Sequence, residues 1–444
     1  MDIQAWLSSQ LINPAHRFAL RPQVHHAVQQ VKAHLALNQK QCHNYQLERL
    51  RKLCKIAARS DYYCELFKQA GLTDFEKLSF EQYHELPLLS KDTVRDQAEA
   101  LTPKGINQQD LRRSATGGTT DSPISIYMDW PCYYKRLAST IVHDSWLGYS
   151  PGLKMAYLWG ASQDFPDKMG IKLQLQQLLF GKKLFLQSGY LNDETMHAHY
   201  LKLKSFKPIL LQAYPTPLTI FAKFLLQHKL NLPIKNISCT AEPLLEYQSQ
   251  LIEEAFGTQP FNWYGSRECG RIATETANRS GLRINSYNLY IEQLHNFNER
   301  GNIIITDLWN EGFPMLRYDT RDIGLLKKTH NEGFGTEQLN SLDGRTTDIF
   351  VSSNGTYVPG VAFTNRLIKD NKQFLSLQIF QNDYQDFHIK VVPGMEYCSQ
   401  SNDLLTSVIS GFMGENINLT TEVVDKIMPE RSGKVRFCIC NIKT

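Results

Sequence analysis

The chain has 444 residues, of which 42% are hydrophobic, 11% aromatic and 21% charged. That is long for one domain and too apolar for a disordered chain, so a two-domain enzyme with a large core is expected. The net charge of +4 comes from scattered Lys and Arg, and supplies no basic face of the kind that nucleic acid or an anionic membrane requires.

The start, MDIQAWLSSQ, lacks the basic opening and long apolar core of a signal peptide. Nine cysteines without a CxxC pair read as reduced thiols, and a cytoplasmic protein is expected. The spacing of Leu50, Leu53, Ile56 and Ala57 predicts a helix in the run 45–71, within a helical lead-in over 1–105. Beyond LPLLSKDTVRDQAEAL (86–101), short apolar runs alternate with amphipathic helices. Strands are expected at KMAYLWG, KKLFLQSG, KPILLQAYP, IKNISCTAEPL and FNWYG, with helices at LTIFAKFLLQHK and LEYQSQLIEEAFG. The segment 209–226 is the most apolar, but two prolines, Gln212 and Lys223 make it a strand, a turn and a helix rather than a membrane span.

This alternation predicts an α/β fold with mainly parallel sheets flanked by helices. LYIEQLH, GNIIITDLW and DIGLLKK add a strand-rich β subdomain from about residue 285. The domains expected are 1–347 and a small mobile α+β domain over 348–444, with strands FHIKVVP and KVRFCIC around a helix LLTSVISGFMG. Cys438 and Cys440, alternating with Phe437 and Ile439, read as strand thiols rather than metal ligands. His197 and His199 have no third ligand in sight and read as surface residues of a helix.

One loop stands out. SATGGTTDSPISIYMD (114–129) opens with two glycines and four hydroxyl residues in seven positions. It has no GKS/T as in a Walker loop and no GxGxxG opening a helix. What remains is a backbone nest with Thr116, Thr119 and Thr120 as donors, while Gly117 and Gly118 allow close approach to an anion. Composition alone leaves a surface linker equally open. Five further polar clusters follow: TAEPL (240–244), WYGSRE (263–268), YDTRDIG (318–324), which reads as an acid in a turn, DGRTTD (343–348) and PERSGKVRF (429–437). Four of them fall plausibly at strand ends, where α/β sheets bind ligands.

In order and spacing, these segments resemble the adenylate-forming superfamily of acyl-CoA ligases, within it the phenylacetate–CoA ligases and the CapK-like capsule-biosynthesis proteins. LPLLSKDTVR (86–95) is typical of that branch, and the resemblance runs from about residue 45 to the end. It implies ATP-dependent activation of a carboxylic acid as an acyl-adenylate with release of pyrophosphate. Transfer to a thiol, CoA first of all, follows. An amine or carrier-protein acceptor, or a nucleotide-binding relative without chemistry, is the alternative; the presence of both Lys434 and Asp322 counts against the last.

The resemblance also implies roles for individual residues. Ser114, Thr116, Gly117, Gly118, Thr119 and Thr120 would hold the β- and γ-phosphates. Ala241, Glu242 and Pro243 would line the adenine pocket, with Tyr264 stacking on the base and Gly265 and Ser266 beside it. Glu268 would bind Mg2+, Asp322 would accept the ribose hydroxyls and Arg345 would contact ribose or phosphate. Lys434 would bridge the attacking carboxylate and the α-phosphate. Asp348 would be the hinge, and Gly355 would let a pantetheine arm pass. Arg267 departs from the small hydroxyl residue of many members, and Cys269 alone cannot bind the structural zinc of some relatives, so no zinc is expected. Trp159, Tyr214 and Trp263 would border the acyl pocket; their rings favour a small aromatic or short apolar acid. A homodimer or a carrier-protein partner is compatible with relatives of this kind.

Overall fold

The computed structural model describes residues 7–115, 125–159, 183–188, 191–295, 300–327, 338–345, 349–352, 357–359, 363, 366–367, 372–428 and 436–442. The expected helical run 45–71 is two helices. The first, Gln39–Ala57, starts at a capping box in which Asn38 and Gln41 each bond the other's backbone N–H. It ends before Ser60, whose hydroxyl accepts from Tyr63 N and caps a second helix, Asp61–Gln69. Leu50, Leu53, Tyr63 and Phe67 then pack against Ile291, Ile303, Ile305 and Tyr318, more than two hundred residues away in sequence.

Five parallel strands follow: β3 (Met155–Trp159), β4 (Lys183–Gln187), β5 (Leu210–Ala213), β6 (Asn236–Cys239) and β7 (Phe261–Ser266), in the order β4-β3-β5-β6-β7. They come after a hairpin of β1 (Arg112–Ala115) and β2 (Ser125–Met128). One face of the parallel strands carries Leu158, Leu211, Ile237 and Cys239 against Leu203, Phe221, Leu225, Ile252 and Phe256 of the covering helices. A fully buried Leu or Phe contributes roughly 1.5–3 kcal/mol, so this core holds the strand ends at fixed heights. On the opposite face Met155 and Leu210 pack on Leu147 and Tyr149.

The strand-rich segment is not a separate sheet. β7 pairs with β6 in parallel on one side and with β8 (Gly270–Glu275) antiparallel on the other. The sheet continues through β9 (Leu282–Ile284), β13 (Gln338–Arg345), β12 (Tyr318–Lys327), β11 (Gly301–Asp307) and β10 (Leu289–His295), making eleven strands. The β subdomain expected from the sequence is therefore an antiparallel extension of the parallel sheet.

Near the C-terminus a two-stranded ladder, β14 (Ile349–Val351) and β15 (Tyr357–Pro359), precedes a four-stranded sheet. That sheet has the order β18 (Asn418–Val423), β17 (Asp386–Pro393), β16 (Phe374–Gln381), β19 (Cys438–Cys440). Alternation buries Phe387, Ile389 and Val391 against Leu405, Ile409 and Met413 of the helix Ser401–Met413. Tyr247, on the helix Glu246–Phe256, packs against the same cluster. Cys438 is buried in β19 and Cys440 half-buried, its Sγ donating to Gln381 Oε1 at 3.5 Å. His197 is exposed, as expected of a surface residue, but His199 is not. It is buried, with Nε2 2.9 Å from the carbonyl of Gln187.

Candidate active site

The site grows from the carboxyl ends of the parallel strands. β1 and β2 hold the ends of the glycine loop together, with Ser114 opposite Ile126 and Ala115 opposite Ser125. Ser114 is half-buried; Thr116, Gly117, Gly118, Thr119 and Thr120 lie outside the described residues. The far end of the hairpin is fixed by Asp129. Its Oδ1 accepts from Cys132 N at 2.7 Å, starting the helix Trp130–Trp146, and its Oδ2 accepts from Gly312 N at 2.8 Å. Burial raises the Asp129 carboxyl above the usual range.

After β6 the chain turns at Ala241, whose φ of 75° is left-handed. A non-glycine residue there costs on the order of 1–2 kcal/mol, a strain commonly held at ligand sites. The turn directs Glu242 to the adjacent helix Pro215–Gln227, where Oε2 accepts from Thr216 N at 3.1 Å. A carboxylate at a helix N-terminus meets the positive end of the dipole. Pro243 is exposed beside it.

At the end of β7, Tyr264 is buried, and its hydroxyl donates to Asp322 Oδ2 at 2.5 Å. Burial first, and then the Asp322 charge, push this phenol far above its ordinary range, so it remains a donor. A Cβ on Gly265 would come within 2.7 Å of both the Gly270 carbonyl and the Trp263 ring, so only glycine fits that crossing. Ser266 Oγ accepts from Cys269 N at 3.1 Å and closes the turn that presents Glu268. Glu268 is half-buried and Arg267 exposed.

Asp322 does not sit in a turn, as its sequence implied, but inside β12. A bulge in the β11–β12 ladder, with Arg321 at φ 60°, produces the same Asp/Thr/Arg chemistry that marks turns. Arg345 stands directly opposite Asp322 in the β12–β13 register. From β12 the sheet runs through β13, β9 and β8 to β7, four steps that would span about 19 Å if flat. The bond between Tyr264 and Asp322 therefore requires the antiparallel half to curl back over the parallel strand ends. The curl brings together Tyr264, Glu268, Asp322 and the Arg345 backbone. Lys434, Asp348 and Gly355 lie outside the described residues.

Three groups support the site in ways that residue type does not reveal. Arg136 donates to the Glu268 carbonyl at 2.5 Å and pairs with Asp307 Oδ2 at 2.5 Å, both side chains buried. Tyr318, inside the quoted YDTRDIG, donates to Glu268 Oε1 at 3.4 Å. The motif LPLLSKDTVR pairs along the same strand: Leu89 N donates to Arg317 O and Asp319 N to Leu89 O. Arg317 also donates to the carbonyls of His84 and Leu86, and Arg321 reaches Asp92 Oδ2 at 3.0 Å. That motif is a buttress for the strand carrying Asp322. It was visible as a motif, whereas Arg136 looks like any helical arginine.

The fold is one seen in CoA ligases crystallised with acyl-AMP. The crystal structure of 2-hydroxyisobutyryl-CoA ligase in the postadenylation state, in complex with 2-HIB-AMP, superimposes with a TM-score of 0.72 at 17% identity, covering 91% of this chain and 90% of that one. The anthranilate CoA ligase AuaEII in complex with anthranoyl-AMP gives 0.52 at 15% identity, covering 74% of this chain and 65% of that one. More particularly, residues 350–441 match the CapK C-terminal domain family. Protein CapK of Staphylococcus aureus is 25% identical over 401 residues, 87% of this chain and 86% of its own. The chain thus resembles Protein CapK over most of its length, matches the CapK C-terminal domain family over residues 350–441, and shares its fold with CoA ligases. Among the described residues no helix is long and apolar enough to cross a membrane.

Proposed function

We propose that this protein activates a small carboxylic acid with ATP and passes the acyl group to a thiol, CoA being the first choice. The observation that carries the reading is the bond from Tyr264 to Asp322 at the ends of the parallel strands, beside Glu268. It holds a carboxylate suited to two ribose hydroxyls at one edge of the site, and Glu268 follows Tyr264 by four residues. Similar folds have been crystallised with acyl-AMP, and one with both 2-HIB-AMP and CoA.

In the first step a carboxylate oxygen of the acid attacks the α-phosphorus, and the bond to pyrophosphate breaks. In the second, a thiolate attacks the acyl carbon, and the carbon–oxygen bond to AMP breaks. The work of the protein is positioning and charge neutralisation. Ser114 and the residues Thr116–Thr120 would hold phosphate oxygens, Ala241–Pro243 and Tyr264 would border adenine, and Asp322 with Arg345 would hold ribose. Lys434 would bridge the two reacting groups. Half-buried Glu268, a hard oxygen donor fixed through its own carbonyl by Arg136, suits the magnesium that accompanies ATP. Bound there, the ion would neutralise phosphate charge.

The test uses pure protein, Mg-ATP, pooled carboxylic acids and hydroxylamine, with and without CoA, read by mass spectrometry. Acid-dependent AMP and a hydroxamate are expected, with a thioester in the CoA lane. AMP from no pool, despite ATP binding, would overturn the reading.

A further inference from the structure

The face of the parallel sheet opposite the helix-packed core is not apolar throughout. Met155 and Leu210 begin it. The next register row is Tyr157, Gln212, Ser238 and Phe261, on neighbouring strands. Trp159 and Trp263 lie one pleat further toward the site, and Tyr214 stacks on Trp159 at 5.9 Å between ring centroids. Arg271 lies over the Trp263 ring at 4.2 Å, and its Nη2 reaches Asp144 at 2.7 Å.

These polar atoms are buried without hydrogen-bond partners among the described residues: Trp159 Nε1, Gln212 Nε2, Ser238 Oγ, Trp263 Nε1, and Arg271 Nε and Nη1. Gln212 and Arg271 are 4% and 7% exposed, so water does not reach them as it reaches a surface group. Buried polar groups in native proteins are satisfied in roughly nine cases of ten, by protein, ordered water or ligand, so several orphans on one face of one sheet mark a place built to receive a polar partner. Apart from Asp144 Oδ1, which lies against Arg271 Nη2, their character is also one-sided. Indole, amide and guanidinium nitrogens only donate, and Ser238 can do either.

From this we infer that the acid taken by the site carries hydrogen-bond acceptors along its chain: hydroxyl or carbonyl oxygens beyond the carboxylate, facing Gln212, Trp159 and Trp263. The inference rests on the ligase reading, and it replaces the small aromatic or short apolar acid that the rings alone favour. An unsubstituted aryl or alkyl acid would leave those donors desolvated. A hydroxylated acid pairs them, and a site built to bond an oxygen rejects the analogue lacking it far more strongly than a hydrophobic pocket rejects an extra one.

The test compares matched acids: 4-hydroxybutanoate with butanoate, 4-hydroxyphenylacetate with phenylacetate, and gluconate with hexanoate. Hydroxamate formation reads chemistry, and quenching of tryptophan fluorescence reads binding without ATP. The oxygenated member of at least one pair is expected to win by tenfold or more in kcat/KM. Trp263→Phe, which keeps a ring beneath Arg271 and removes only the donor, should erase most of that preference, as should Gln212→Leu. Deoxy acids used as well as their oxygenated partners in every pair, or a preference untouched in both variants, overturn the inference and leave the ligase reading standing. Oxygen-dependent quenching without hydroxamate from any acid overturns the ligase reading and supports the donor-lined pocket. Absence of both signals for every pair counts against the two together.

Discussion

The hydroxyl of Tyr264 and the carboxylate of Asp322, on strands four steps apart in one sheet, meet at 2.5 Å. The phenol cannot ionise in this setting, so it fixes the rotation of the carboxylate and leaves its charge in place. Tyr264→Phe should raise KM for ATP about tenfold, the lower end of what a hydrogen bond to a charged group supplies, with a smaller change in kcat. Pyrophosphate exchange at varied ATP measures this. An unchanged KM in a folded variant would detach Asp322 from nucleotide binding.

The pair of Arg136 and Asp307 stands behind Glu268. Arg136→Met leaves Asp307 buried without its partner and should cost on the order of 3–5 kcal/mol in unfolding free energy. Adding Asp307→Leu should recover most of that loss. The double variant should nonetheless need more magnesium for activity, because the Glu268 carbonyl has lost its donor. A wild-type magnesium titration in the double variant would reduce Arg136 to a purely structural part.

Ala241 carries the backbone strain of the turn after β6. Ala241→Gly should raise stability by about 1 kcal/mol if the loop holds its shape, since glycine adopts positive φ freely. Ala241→Val should lower it by more than that. Thermal unfolding of the two variants is the measurement, and equal midpoints would mean the turn relaxes without cost.

His34 lies in the lead-in, with Nε2 3.0 Å from Ser286 Oγ, and burial, helped by Arg283, lowers its pKa from 6.5 to about 4. A depressed histidine pKa means that the unfolded chain binds the proton first. The stabilisation is complete above pH 6.5 and is lost as pH falls toward 4. At pH 5 the loss from this group is about 2 kcal/mol. Buried His143 is shifted in the same direction. Denaturant unfolding at pH 7 and pH 5 should show His34→Gln losing less than the wild-type chain, and parallel losses would exclude His34 as a source.

Lys434→Ala should abolish pyrophosphate release from ATP and acid while sparing conversion of a supplied acyl-adenylate, if the lysine serves only the first step. Equal loss of both activities would separate Lys434 from that role.

Much of this was legible before the fold was seen. The strands of the parallel half and the sheet of the C-terminal segment follow from alternation, and Tyr264, Glu268 and Asp322 were marked by residue type. Partnership was not legible. Periodicity assigns Tyr264 and Asp322 to faces but cannot tell that a curled sheet brings those faces together. The YDTRD bulge reads as a turn because Asp, Thr and Arg serve both. The donor role of Gln212 was hidden for another reason, since an apolar run disguises a polar atom within it.

The buttress of Leu89 and Asp92 on the strand of Asp322 also bears on how the chain is made. Asp92 and Arg321 are 229 positions apart. A ribosome adding about 5–20 residues per second takes roughly ten to fifty seconds to cover that interval. Throughout it the apolar side chains Leu86, Leu89 and Val94, all buried in the finished protein, have no strand to rest on. The anchored strand of Asp322 is therefore a late product of synthesis, and the emerging chain depends for that time on whatever shields its first hundred residues.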